Sequence, residues 1–185
     1  MKKNNLIFPS ILLAAIAGIL AIAVFAVNDV TKGVIADSES TKLNSYYENI
    51  FPDSEFQVIY DNTKDSDKDS MIISVAEAKK NGQVIGYLYL VASNGYSGEV
   101  VSLIGIDKET SKVIRVIVTK QTETPGLGTK ATEPGFLDQF TGKESSTVLK
   151  AKDNINAITG ATITSSAVVK AVNTAFEDFN ENYRR

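Results

Sequence analysis

The hydroxyls that could do chemistry are concentrated in one run, Ile158-Thr-Gly-Ala-Thr-Ile-Thr-Ser-Ser166, near the C-terminus. Directly after it, apolar residues recur at Val168, Val172, Ala175, Phe176, Phe179 and Tyr183, the three-and-four spacing of an amphipathic helix. The spacing predicts a helix of roughly 16–18 residues that starts near Thr164 or Ser165, either of which can be its N-cap. Thr159, Thr162, Thr164, Ser165 and Ser166 therefore gather where a helix leaves its first N–H groups without partners. Such a place favours an anion, typically phosphate. A capped helix start with no ligand has the same pattern.

The rest of the composition narrows what chemistry such a site can do. The chain has 185 residues, no Cys and no His. Thiol nucleophiles, Cys/His zinc sites, haem axial histidines, iron–sulfur ligation and histidine general catalysis are all excluded. Redox or group-transfer work would need a bound cofactor to supply the reactivity. The net charge is −3 and Lys and Arg are scattered, so no nucleic-acid surface is expected.

Two further stretches carry glycines where a backbone must bend or come close. In Lys120-Gln-Thr-Glu-Thr-Pro-Gly-Leu-Gly-Thr-Lys130, Pro125-Gly126 is a turn dipeptide and Gly128 allows a second unusual angle. Leu127 lies between them, free either to present its side chain to a flat ligand or to tuck into the core. Neither a Walker loop nor a dinucleotide fingerprint is present. Asn94-Gly-Tyr-Ser-Gly98 reads as a hairpin turn with a packed tyrosine. Asp65, Asp67 and Asp69 alternate as in a calcium loop, but Ser70 and Ala76 stand where such a loop needs Gly and Glu, so a solvated loop fits better.

The elements that must position these stretches follow from hydropathy. Leu6 to Val27 carries no charge and as a helix spans about 33 Å, enough for a hydrocarbon core of about 30 Å. A retained single-pass anchor is expected, with a cleaved signal peptide as the rival reading. Lys2 and Lys3 precede it, which puts the N-terminus in the cytoplasm and the remaining chain outside. Leu43, Tyr46, Tyr47 and Ile50 then have helical spacing up to Pro52. Strands are expected over 55–60, 71–78, 83–92, 100–106 and 113–119, with a tight hairpin at Asn81-Gly82. In the last strand, Ile114, Val116 and Val118 should share one face and Val113, Arg115 and Ile117 the other. A short helical turn is expected over 136–140. Short loops between consecutive strands imply an antiparallel meander, so the fold class is α+β, a largely antiparallel sheet covered by helices behind a single transmembrane helix. The expected division is a cytoplasmic N-terminus over 1–5, the span over 6–27, a connecting helix or linker over 28–55 and the outer domain over 56–185.

Taken together, Gly95-Tyr-Ser-Gly98, Glu123-Thr-Pro-Gly-Leu-Gly128 and Thr159-Gly-Ala-Thr162 with Ile163-Thr-Ser165 resemble the membrane-anchored FMN-binding domain family. The G subunit of the Rnf electron-transport complex is similar in shape, and the C subunit of the sodium-translocating NADH:quinone oxidoreductase is a cousin. The resemblance implies FMN held covalently as a phosphoester of Thr162, attached by a separate flavin transferase. It implies non-covalent cofactor contacts from Thr159, Gly160 and Ala161, from Glu123, Thr124, Gly126, Leu127 and Gly128, and from Tyr96, with Leu127 against the isoalloxazine ring. Asn156 stands where many relatives carry Asp. The function implied is electron carriage within a membrane complex that couples ferredoxin/NAD electron transfer to Na+ or H+ translocation, with other membrane subunits as partners. No substrate turnover by the chain alone is implied. The alternatives are the equivalent quinone-reductase subunit and a tethered binding or assembly module without covalent flavin.

Overall fold

A computed structural model describes residues 7–62 and 70–184, and of residues 7 and 27–40 the backbone alone. Asp65, Asp67 and Asp69 of the acidic loop lie outside the described residues. Helix α1 runs over Ile7–Ile50. Within it, Phe8–Ala26 has a mean hydropathy of 2.5 and is exposed throughout, long and apolar enough to cross a membrane. The chain divides into two compact units, Met1–Asn44 and Ser45–Arg185.

The second unit is built on five strands: β1 (Glu55–Asp61), β2 (Ile72–Lys80), β3 (Gln83–Asn94), β4 (Glu99–Asp107) and β5 (Val113–Lys120). They lie in the order β1-β2-β3-β4-β5, every neighbouring pair antiparallel, as the short loops require. Asn81 and Gly82 join β2 to β3 with φ of 53° and 76°, the two positive angles of a type I′ turn that matches strand twist.

In β5 the expected alternation fails at its start. Val113 pairs with Ile106 and Arg115 with Gly105, so Ile114 is an extra residue in a bulge. The extra residue reverses the facing of the one before it, and Val113 joins Val116 and Val118 in the core while Ile114 stays half-buried.

One face of the sheet is covered by helix α3 (Thr162–Asn182). Its buried stripe, including Val168, Val172, Ala175, Phe176 and Phe179, packs on Tyr87, Tyr89, Val91, Ile104 and Val116, as the spacing predicts. The opposite face is closed by Tyr47, Ile50 and Phe51. Gly86 and Gly105 make that contact possible, since a Cβ on Gly86 would collide with the Phe51 ring and one on Gly105 with Ile50.

Between β5 and α3 lie a 3-10 turn over Gly128–Thr132, helix α2 (Pro134–Leu137) and a second 3-10 turn over Asp138–Phe140. Phe136 and Phe140, expected to bracket one turn, meet edge to face at 5.5 Å under the sheet's end.

Helix α3 begins two or three residues earlier than its hydroxyls suggest. The N-cap is Ala161, and no side chain caps the helix. Thr164 and Ser165 cannot do so because their hydroxyls are used elsewhere. Ser165 Oγ donates to Ala161 O at 2.9 Å and accepts from Ile158 N at 2.9 Å. Thr164 Oγ1 donates to Glu123 Oε2 at 2.8 Å.

Candidate functional site

The three glycine- and hydroxyl-bearing stretches meet at one place. The β3–β4 turn, the loop after β5 and the start of α3 surround a cleft of about 540 Å3, within the ~300–1,000 Å3 of small-molecule sites. It is lined by Tyr96, Glu123, Thr124, Leu127, Gly128, Gly160, Ala161, Thr162, Ile163 and Thr164.

One wall is the first turn of α3. The N–H groups of Thr162, Ile163 and Thr164 have no helical carbonyl to bond and no side-chain cap. The half-buried hydroxyl of Thr162 has no hydrogen-bond partner among the described residues either. Of the neighbouring hydroxyls, those of Thr164 and Ser165 are buried and bonded. Thr162 is therefore the hydroxyl of the first turn of α3 that remains available. Gly160 turns the chain into the helix with φ of 79°, and a Cβ there would approach Leu127 Cδ2 to 3.2 Å.

The opposite wall is apolar. Leu127 is 45% exposed, which excludes the core placement and leaves the surface one. With Tyr96 at 72% and Ile163 at 53% exposure, it forms a rim of large side chains around a polar floor. Such a rim has the shape and chemistry for a flat aromatic ring whose anionic end reaches the helix N-terminus. FMN, a planar ring carrying a phosphate, fits these residues. The ring would lie by Leu127, Ile163 and Tyr96, and the phosphate by Thr162 and the free N–H groups.

Glu123 lines the cleft as a buried group. It is 5% exposed, and both of its carboxylate oxygens are occupied. Oε1 accepts from Tyr96 N at 2.8 Å and Ser97 N at 3.1 Å, and Oε2 from the Thr164 hydroxyl. It stands in the floor of the cleft and is tied to protein groups.

Two expected contacts fall outside the cleft wall. Gly126 (φ 76°) lies at the back of its turn, where its N–H donates to Thr129 Oγ1 at 2.9 Å. Thr159 is exposed just before the Gly160 bend and does not line the cleft. Thr124 does line it, while its carbonyl accepts from Leu127 N and Thr129 N to close the loop. Ile163 and Thr164 are lining residues that the sequence pattern does not assign. Ile163 had a visible signal, since it is apolar yet out of step with the buried stripe of α3. Among the described residues, no group of three His, Cys, Asp or Glu side chains could hold a metal.

Comparison with known proteins agrees with this geometry. Residues 95–177 match the family described as the FMN-binding domain. The chain is 38% identical over 120 residues to the G subunit of the Na+-translocating ferredoxin:NAD+ oxidoreductase complex of Acetobacterium woodii, covering 60% of this chain and 57% of that relative. It therefore spans little more than half the length of that protein. It is 33% identical over 194 residues to the G subunit of the ion-translocating oxidoreductase complex of Aliivibrio fischeri, covering 95% of this chain and 88% of the relative. Among solved structures, the C subunit of the Na+-translocating NADH-quinone reductase from Parabacteroides distasonis has a similar fold, with a TM-score of 0.53 and 20% identity over 74% of this chain and 82% of that one.

Proposed function

Because the chain belongs to the family of G subunits of ion-translocating oxidoreductase complexes, we propose that it is an electron-carrying flavoprotein subunit of such a complex, with FMN esterified to Thr162. Bound there, FMN would supply the capacity to accept and pass on electrons. The observation that carries the reading is the free Thr162 hydroxyl at the uncapped start of α3, inside an apolar-rimmed cleft.

The residues divide the work. The N–H groups of the first turn of α3 neutralise the phosphate, and Thr162 Oγ1 anchors it. Leu127, Ile163 and Tyr96 shield the faces and edge of the ring from water. Ester formation requires Thr162 Oγ1 to bond phosphorus, lose its proton to a base and displace a leaving group. The chain has no His or Cys to serve as that base, and Glu123, the carboxylate of the cleft, is committed to three protein donors. A flavin transferase therefore provides the base and an activated flavin nucleotide, whose phosphoanhydride bond breaks as the ester forms.

With Lys2 and Lys3 ahead of the apolar helix, the positive-inside rule favours a cytoplasmic N-terminus and an outer location for the flavin. The other membrane subunits of the complex are the partners, and ferredoxin, NAD and a translocated Na+ or H+ are the reactants of the whole assembly. Mass spectrometry of the chain co-produced with a flavin transferase tests the reading. An FMN adduct on the peptide containing Thr162 is expected. Its absence, under conditions that label a known acceptor, would refute the covalent assignment and favour a tethered binding module.

A further inference from the structure

The loops around the cleft are short of ties to one another, and most of those present pass through one side chain. Glu123 receives hydrogen bonds from Tyr96 and Ser97, 27 and 26 residues before it, and from Thr164, 41 residues after it. Its own N–H donates to Gln121 Oε1 at 2.6 Å, which fixes the loop it projects from. Space around the carboxylate is reserved by glycine. A Cβ on Gly128 would lie 2.6 Å from both Glu123 Cβ and Oε2, and one on Gly95 would strike Oε1. Gly95 and Gly128 thus leave the space that this carboxylate fills.

We infer that Glu123 is a positioning residue, a carboxylate latch that assembles the cleft from the 95–98 turn, the 123–128 loop and the start of α3 before FMN arrives. The inference rests on the FMN reading of the cleft. A carboxylate is an acceptor only, so it gives a phosphate nothing, and its buried charge is tolerated because three donors converge on it. Its influence on the cofactor passes through what it holds: Tyr96 at the rim, Gly128 in the wall and the turn that carries Thr162.

The test uses the full-length chain with Glu123→Gln, Glu123→Ala and Thr164→Val, each measured in two ways. Amide exchange on the flavin-free protein reads the latch itself. The rate at which a fluorescent, denaturation-resistant flavin band forms with the transferase reads its consequence. Glutamine can still accept from both N–H groups and can donate its amide to the Thr164 hydroxyl, so E123Q should stay within about threefold of wild type in both. E123A should label at least about tenfold more slowly, with Tyr96 and Ser97 amides exchanging about tenfold faster, the factor one charge-assisted hydrogen bond represents. Protection within β3 and α3 should persist. T164V cuts one arm and should fall between.

Wild-type labelling and exchange in E123A would overturn the latch. So would E123Q as impaired as E123A, or protection lost across the whole sheet. If E123A does not accumulate, T164V decides, and unchanged labelling and exchange there overturn the inference. A wild-type chain that never takes FMN refutes the covalent reading instead, and the exchange arm still decides the latch.

Discussion

The two ends of helix α3 are held in opposite ways. At the C-terminal end, Tyr183 stacks on Tyr87 at 4.4 Å, and Phe179 meets the same ring edge-on at 5.8 Å. Tyr89 donates its hydroxyl to Asp178 Oδ2 at 3.0 Å. Asn180 and Ser145 exchange two hydrogen bonds, Ser145 Oγ donating at 2.7 Å and Asn180 Nδ2 returning one at 2.8 Å. At the N-terminal end no side chain caps the helix, and Thr162 keeps an unbonded hydroxyl. The closed end supplies stability through packing, which leaves the open end free to serve an anion. Substitutions at the two ends should therefore have separable effects.

Thr162→Val at the open end should give the largest effect on function. All covalently held flavin should disappear from the denatured band, while the unfolding free energy stays within about 0.5 kcal/mol of wild type. A large loss of stability would break the contrast between the ends. Phe179→Ala at the closed end should do the reverse. It removes a fully buried ring and should cost about 3–5 kcal/mol in denaturant titrations, yet leave flavin attachment intact where the protein is folded. Ser165→Ala tests where the open end stops. It leaves the Ile158 N–H without its acceptor and should cost about 1–2 kcal/mol. It should also slow flavin attachment, because Ser165 ties the 158–161 bend to the helix.

The smallest effect should be the pH response of the closed end. Burial pushes the Tyr89 phenol well up, with the Asp178 charge adding to it, and burial also raises Tyr87 and Tyr183. Unfolded phenols lose their protons near about pH 10, whereas the folded ones keep theirs. The unfolded state then holds fewer protons, and stability falls as pH rises past that value. Thermal melts from about pH 8 to about pH 11 should show this decline, and Tyr89→Phe should flatten it.

What could be read from the sequence follows the range of the interactions involved. The meander was legible because each strand pairs with its sequence neighbour and Asn81-Gly82 names its own turn. The buried stripe of α3 was legible from spacing alone. The bulge at Ile114 was not, since one extra residue among Val and Ile leaves no mark in the pattern. The cap of α3 was misread because Thr164 and Ser165 are good capping types, and what diverts Thr164 is a carboxylate 41 residues away. For the same reason the ties that Glu123 makes to Tyr96, Ser97 and Thr164 leave no mark in the sequence, where those partners lie 26 to 41 residues away. Leu127 stood undecided between surface and core until its exposure was known.

The strand order has a consequence for the order of assembly. Every ladder of the sheet closes over a hairpin, with little loop-closure entropy to overcome before pairing is rewarded. The Glu123 ties instead join residues 26 to 41 positions apart. The sheet can thus pair as a sequence of local events, while the cleft, like the packing of α3 on the sheet, closes over longer stretches of chain. A chain that pairs in that order has its sheet in place before the Thr162 hydroxyl finds its position in the cleft wall.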